Sequence, residues 1–131
     1  NDEEARQLSG EYSLVKAAQK ILTMGPSTLV IKKGEHGALL FNQDEVFFAP
    51  ALPLEEVLDP TGAGDSFAGA LIGRLASQNR SDFKAIKEAI LYGTCTASLT
   101  VEAFGCDRLE SAGVNAIVER VETLRKLISI D

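Results

Sequence analysis

Several residue types that carry common protein chemistry are scarce in this chain of 131 residues. It has one histidine and two cysteines, and Cys95 and Cys106 lack the spacing of a metal site, so we interpret them as reduced thiols. No apolar run approaches the roughly 20 residues that a membrane-spanning helix needs. The acidic, polar start lacks the pattern of a signal peptide. We therefore expect a cytoplasmic protein.

Positive charge is also in short supply. Lysine and arginine together number 13 against 19 aspartates and glutamates, which gives a formal net charge of −6. This balance argues against a general binder of nucleic acid or anionic membranes. It leaves nucleotide binding open, because that depends on local amides, lysines and Mg²⁺. The hydrophobic fraction of 45% is ordinary for a globular domain with a real core.

The hydrophobic pattern alternates between helical and strand-like segments. Helical spacing marks residues 1–8, 13–24, 63–77 and 114–127, and a further helix capped by Ser81 and Asp82. Strand patterns mark residues 28–31, 38–41 and 45–49, which predict a small meander. Pro50 and Pro53 predict an irregular connector, and Val57 and Leu58 a short strand after it. Strands interleaved with helices indicate an α/β fold.

The most informative stretch is DPTGAGDSFAGA, residues 59–70. It sets Asp59 and Asp65 on either side of a glycine turn that leads directly into a helix. Successive N–H groups of such a turn point at one spot near the positive end of a helix dipole, which suits a phosphate. A carboxylate at the same place would repel a passively bound anion. Asp65 makes sense there if it takes a proton from an attacking hydroxyl while phosphate charge develops.

This run resembles the C-terminal signature of the PfkB, or ribokinase-like, family of carbohydrate kinases, because D-P-T-G-A-G-D-x-F-x-G reads through without a gap. The resemblance implies a ribokinase-like, Rossmann-like three-layer α/β fold. It also implies an ATP-dependent kinase that phosphorylates a hydroxyl of a sugar, sugar phosphate or nucleoside. Family members are much longer, so we expect residues 1–131 to be the C-terminal nucleotide-binding and catalytic part, without the N-terminal substrate and lid portion. Such a part alone is expected to be inactive or very weak.

The resemblance implies roles within the signature itself. Asp65 resembles the catalytic base, and the alternative is an aspartate that caps the following helix. Gly62, Ala63 and Gly64 resemble the anion hole, and the alternative is a tight turn that needs a positive φ. Gly69 is interpreted as a position that lets the helix pack closely.

The same resemblance implies a monovalent-cation site, for K⁺, beside the anion hole. Asp59 and Thr61 would contribute to it, together with backbone oxygens from a second loop. That loop would lie near Thr100, Ala103 and Gly105. An Asx turn with the following proline is an equally weighted alternative for Asp59.

Outside the signature, the resemblance implies contacts to the nucleotide and its metal. Asn1 and Glu4 have the N-x-x-E spacing, in which the family uses the asparagine on phosphate oxygens and the glutamate on Mg²⁺, often through water. Lys33 and Gly34 lie in a strand-turn that resembles the border of the nucleotide site, with a solvated hairpin turn as the alternative. Gly93 falls where some relatives place a polar side chain facing the base. Base recognition there would then be apolar or made through the backbone.

The first prediction is therefore a kinase that uses ATP, Mg²⁺ and K⁺ and acts on a small sugar or nucleoside, with neither nucleic acid nor membrane as a partner. The alternative is a nucleotide-binding or interaction module without catalysis. Removing part of an α/β sheet would expose a strand edge and apolar surface, so self-association to a homo-oligomer is also expected.

Overall fold

The computed structural model describes residues 1–102 and 107–131. The chain forms two compact units, Asn1–Pro50 and Ala51–Asp131. Within the described residues, the first unit has two helices and a three-stranded sheet, and the second has three helices. The second unit opens with the irregular connector that the two prolines predict.

Two short helices begin the first unit, and both start where a side chain accepts a helix N–H. The Glu4 N–H donates to Asn1 Oδ1 at 2.8 Å. The Lys16 N–H donates to Ser13 Oγ at 3.4 Å. These N-caps explain why the predicted boundaries are close to the observed ones. The helices are α1 (Asp2–Ser9) and α2 (Leu14–Leu22).

The sheet of the first unit is the predicted meander. Its order is β1-β2-β3, and both neighbouring pairs are antiparallel. In the register, Ile31 lies opposite Leu39, and Leu40 lies opposite Phe47. A single 3₁₀ turn, Gly34–His36, follows β1. The strands are β1 (Leu29–Lys32), β2 (Ala38–Phe41) and β3 (Val46–Ala49).

The core of the first unit lies between its helices and sheet. Alternation along β1 and β2 sends one set of side chains towards the helices, and burying those apolar groups stabilises the unit. The buried cluster consists of Ala5, Ala18, Ile21, Ile31 and Phe41.

The second unit is built around its middle helix, which packs on the other two. The middle helix is accordingly the most buried, with Ala89, Ile90 and Leu99 all inaccessible to solvent. Gly113, at φ 72°, interrupts the last helix, and the predicted helix over 114–127 is the part that follows this kink. The helices are α3 (Ala63–Gln78), α4 (Phe83–Val101) and α5 (Asp107–Ile128).

Two predictions about the second unit are corrected. Val57 and Leu58 do not form a strand; both are exposed, and the Leu58 N–H donates to the carbonyl of Val101 in α4 instead of to a strand partner. The apolar stripe of the last helix is only partly buried. Val121 and Leu124 are covered, whereas Val114 is 73% exposed because no described residue covers it. The predicted break at residues 103–105 lies outside the described residues.

None of the helices in the described part of the chain has the length and apolar character needed to cross a membrane.

Candidate active site

The connector folds into a tight turn just before α3. The Thr61 N–H donates to Asp59 Oδ1 at 2.9 Å, so the Asx turn expected as the alternative for Asp59 is present. The Ala63 N–H donates to the carbonyl of Pro60 at 3.2 Å. Gly62 lies between these bonds at φ 82°, a left-handed conformation that favours glycine. The turn therefore fixes the direction in which α3 begins.

The start of α3 differs from that of a self-capped helix. Gly62 is its N-cap, and no side chain of the described residues caps the first turn. Asp65 is the third helical residue and not the N-cap, so the interpretation of Asp65 as the helix cap is wrong. Its side chain is exposed and has no hydrogen-bond or ion-pair partner among the described residues. The carboxylate is thus accessible, near the positive end of the helix dipole.

Hydrogen bonding also fixes the charge of Asp59. Bonds from Thr61, made through its side chain and its backbone N–H, hold the pKa of the Asp59 carboxyl below its usual value, because they favour the ionised form. An aspartate is ionised at neutral pH even at its usual pKa, and these bonds keep Asp59 ionised to lower pH. This negative charge suits a cation close to the turn.

The last turn of α4 makes hydrogen bonds with residues on both sides of the glycine turn. The Thr100 hydroxyl is buried and donates to Ser66 Oγ at 2.8 Å. The Val101 carbonyl accepts the N–H groups of Leu58 and Asp59, at 2.8 and 3.3 Å. Residues on both sides of the glycine turn are therefore tied to one turn of α4. Thr100 belongs to the predicted second loop, but its other members, Ala103 and Gly105, lie outside the described residues.

Close packing between α3 and α4 occurs at Gly93. A Cβ atom at Gly93 would lie 2.9 Å from the Phe67 carbonyl oxygen and 3.1 Å from its ring, so only glycine fits without a shift. A Cβ atom at Gly69 would meet no described atom within 4 Å. The close-packing role predicted for Gly69 is therefore wrong and falls to Gly93. A contact from Gly93 to a nucleotide base stays a prediction.

The N-x-x-E pair forms a capping box in the first unit. Asn1 accepts the Glu4 N–H, and the Asn1 backbone nitrogen donates back to the Glu4 carboxylate at 2.5 Å. The reciprocal pattern explains the spacing by helix capping alone. Because the Glu4 side chain is 74% exposed, its carboxylate is also accessible. The phosphate and Mg²⁺ roles of this pair stay predictions.

The predicted nucleotide border in the first unit is a compact turn. The Lys33 N–H donates to the carbonyl of Gly37 at 2.7 Å, and the His36 N–H donates to that of Lys33 at 3.0 Å. Gly34 is exposed and adopts φ 58°. This is the hairpin turn of the alternative reading, and a contact from Lys33 or Gly34 to a nucleotide is not tested by it.

The cysteine that the structure describes, Cys95, is buried, and its thiol is unreactive. Burial raises the pKa of the Cys95 thiol to about 12, because the thiolate would lose its hydration. Cys95 thus fits the predicted reduced thiol, while Cys106 lies outside the described residues. Within residues 1–102 and 107–131, no group of three or more histidine, cysteine or acidic side chains could hold a metal.

Comparison with known proteins decides the family. Residues 1–112 match the model of the pfkB family carbohydrate kinase. The chain belongs to the PfkB family. This confirms the resemblance seen in the glycine signature, and the ribokinase-like α/β fold that it implied is confirmed by solved structures.

Relatives within the PfkB family include nucleoside-type kinases. The chain is 36% identical over 103 residues to aminoimidazole riboside kinase of Salmonella typhimurium, covering 79% of this chain and 32% of that protein. The Salmonella enterica aminoimidazole riboside kinase, solved with aminoimidazole riboside and an ATP analogue, superposes with a TM-score of 0.73 at 32% identity. The superposition covers 98% of this chain and 40% of that one.

A second solved structure gives the same fold. An E. coli protein assigned as a ribokinase II, solved with ATP and Mg²⁺, superposes with a TM-score of 0.72 at 29% identity, covering 95% of this chain and 37% of that one. The chain thus spans about a third of the length of the family members that it matches.

Sequence reasoning did not find two contacts of the last turn of α4. One is the Thr100–Ser66 hydrogen bond, which joins residues 34 positions apart. The other is the pairing of Arg120 with Ser98 and Glu102 beneath the same turn of α4. Neither lies in a recognisable motif. The hydroxyl of Thr100 gave no separate signal, because α4 also carries hydroxyls at Thr94, Thr96 and Ser98.

Proposed function

We propose that this chain supplies the phosphoryl-transfer centre of an ATP-dependent kinase whose acceptor is a hydroxyl of a sugar, sugar phosphate or nucleoside. The observation that carries the proposal is the start of α3. There, Gly62 begins the helix without a side-chain cap, and the accessible Asp65 carboxylate lies in the first turn. Membership of the PfkB family supports the reaction class.

In this proposal Asp65 is the general base. It takes the proton of the acceptor hydroxyl as the acceptor oxygen attacks the γ-phosphorus of ATP in line, and the bond to the bridging oxygen of ADP breaks. An exposed carboxylate in the first helical turn suits this role, since the acceptor can reach it without displacing a partner. The transferred group ends on the acceptor, and ADP leaves.

Gly62, Ala63 and Gly64 form the anion hole of the proposal. Charge that develops on the phosphoryl oxygens is stabilised by the backbone N–H groups of this turn and by the dipole of α3. The Ala63 N–H already donates to Pro60, at a rather long 3.2 Å. A phosphoryl oxygen would compete with that carbonyl, and a charged acceptor gives the stronger hydrogen bond.

For residues of the first unit, we propose contacts to the nucleotide and to its metal. The exposed Glu4 carboxylate is a hard oxygen donor, which fits Mg²⁺ and its water shell, and the Asn1 side chain would contact phosphate oxygens. When bound, Mg²⁺ neutralises charge on the phosphates. Lys33 and Gly34 would contact the phosphates or ribose, and recognition of the base near Gly93 would be apolar or made through the backbone.

K⁺ is proposed beside the anion hole, at Asp59 and Thr61. The support is the position of the Asp59 carboxylate, which the hydrogen bond from the Thr61 N–H holds next to the glycine turn. The Val101 carbonyl contributes little, since it already accepts two N–H groups.

The test is a phosphoryl-transfer assay on the complete protein with ATP and Mg²⁺, with and without K⁺, across a panel of sugars, sugar phosphates and nucleosides. We expect turnover of one acceptor class, and loss of that turnover in Asp65→Asn. Nucleotide binding without turnover of any acceptor would contradict the kinase and favour a nucleotide-binding module.

A further inference from the structure

Two residues in the last turn of α4 contact residues around the glycine turn. Thr100 donates to Ser66, and the Val101 carbonyl accepts from Leu58 and Asp59. These bonds flank the glycine turn at its beginning and its end. Movement of this turn of α4 would therefore move the residues that carry the glycine turn.

Arg120 of α5 contacts the same region of α4 at two other residues, Ser98 and Glu102. Arg120 donates from Nη1 to Ser98 Oγ at 2.7 Å, and its Nη2 pairs with the Glu102 carboxylate. Ser98 and Glu102 are four residues apart, so they lie on one face of α4, away from Thr100. The guanidinium is a rigid planar fork, and it joins two points of one helical turn.

This pairing is partly buried, so solvent and salt screen it less than a surface ion pair. The Arg120 side chain is 18% exposed and that of Glu102 is 30% exposed. Ser98 in turn donates to the Cys95 carbonyl at 2.6 Å, which fixes the hydroxyl that receives the Arg120 N–H. The bond from Arg120 to Ser98 is a charge-assisted hydrogen bond, whereas the contact from Arg120 to Glu102 is an ion pair.

We propose that Arg120 is a positioning residue for the glycine turn, acting through Ser98 and Glu102 on the last turn of α4; its effect on catalysis rests on the proposed kinase function. The docking of α5 itself does not require Arg120, because Val121 and Leu124 are buried on the same helix. Arg120 instead determines where residues 98–102 lie, and through Thr100 and Val101 where the glycine turn lies. Displacement of such a shell by about 1 Å can cost up to about a hundredfold in rate.

The first test reads the connection without any enzymatic activity. Hydrogen exchange is measured on the peptide spanning residues 57–66 in the complete protein, for Arg120→Met and for the matched control Arg125→Met. Arg125 is an exposed arginine on the same helix. We expect exchange in this peptide to become about tenfold faster in Arg120→Met and to stay unchanged in the control, because the Leu58 and Asp59 amides lose a firmly held acceptor.

A second variant distinguishes loss of the Arg120 contacts from misfolding caused by an unpaired charge. Arg120→Met leaves Glu102 without its partner, so the double variant Arg120→Met with Glu102→Gln removes both charges together. Faster exchange of residues 57–66 is expected in the double variant as well, while peptides from α4 before residue 95 keep their protection. Unchanged exchange of residues 57–66 in a folded double variant would overturn the proposal.

The kinetic test separates positioning from stability. Well below the melting temperature, we expect Arg120→Met to lower kcat about tenfold and to leave KM for the acceptor within about twofold, with partial rescue in Arg120→Lys. A lower melting temperature with unchanged kcat would show a structural role only and overturn the proposal. If the wild-type protein transfers no phosphate, the kinase function fails, and the exchange experiment still decides the connection.

Discussion

Two helices that pack on each other in the second unit begin in opposite ways. At the start of α4, Asp82 is the N-cap, and its carboxylate accepts the Ala85 N–H at 3.2 Å. Arg80 donates to the same carboxylate, at 2.8 and 2.9 Å. At the start of α3, a glycine stands at the N-cap, and the aspartate is the third helical residue. A side chain of the α4 terminus thus caps one of its N–H groups, whereas no described side chain caps the start of α3.

The aspartates at these two helix starts, Asp82 and Asp65, differ in whether their carboxylates have hydrogen-bond partners. Hydrogen bonds from Arg80, followed by that from the Ala85 N–H, hold the pKa of Asp82 below its usual value. This carboxylate is thus occupied in holding the helix. Asp65 lies in the first turn without a described partner, so its carboxylate is available to a ligand. Position in the helix start therefore separates a capping aspartate from a candidate base.

The largest expected effect on activity comes from replacing the carboxylate of Asp65 by an amide, with the same replacement at Asp82 as the control. Asp65→Asn should lower kcat about a thousandfold, because an amide cannot take the proton. Asp82→Asn should leave kcat unchanged, because asparagine caps a helix as well as aspartate does. Both rates are measured in the complete protein with the acceptor found in the panel. Equal losses in the two variants would erase the distinction between the helix starts.

The comparison also depends on α3 being held against α4 at Gly93. Gly93→Ala should lower the free energy of unfolding by about 2 kcal/mol, because the added Cβ overlaps the Phe67 carbonyl. Gly69→Ala is the matched control, and it should raise stability by about 0.5 kcal/mol, because alanine favours helix and its Cβ meets no described atom. Denaturant unfolding measures both. A neutral Gly93→Ala would argue against the close helix contact.

The left-handed N-cap of α3 gives a smaller effect on stability. Gly62→Ala should cost about 1 kcal/mol, since φ is 82° at this position. In the proposed mechanism its kcat should fall further than this loss explains, because the anion hole shifts. Unfolding and turnover are measured on the same preparation. If Gly62→Ala loses stability but keeps a normal kcat, the turn has a structural role only, and its role as an anion hole is contradicted.

The smallest expected effect is a dependence on pH at the start of α4. The folded-state pKa of Asp82 is lowered, so its contribution to stability is present above the unfolded pKa and is lost as pH falls through the folded value. Asp82→Asn should therefore flatten the fall of melting temperature on the acid side, in thermal scans from neutral pH to about pH 3. A melting temperature that falls as steeply as in the wild type would show that other carboxyl groups dominate.

Much of the local structure could be predicted from the sequence. The meander follows from alternating apolar residues and turns, and Ser13 and Asp82 mark helix starts by their side chains alone. Each depends on hydrogen bonds between residues a few positions apart. The glycine turn was likewise predictable, because the positive φ of Gly62 is a local requirement. The failed strand at Val57 and Leu58 shows the limit, since two apolar residues do not specify a partner.

The order of residues thus determined the family signature, the turn and the capped helix ends by itself, since local backbone geometry and capping need only near neighbours. The tertiary structure decided which glycine packs closely, which carbonyl receives Leu58 and Asp59, and that Arg120 lies under the turn. Those outcomes depend on how α3, α4 and α5 pack. Hydrophobic packing sets the distances between residues far apart in sequence, as between Ser66 and Thr100, and no local pattern records it.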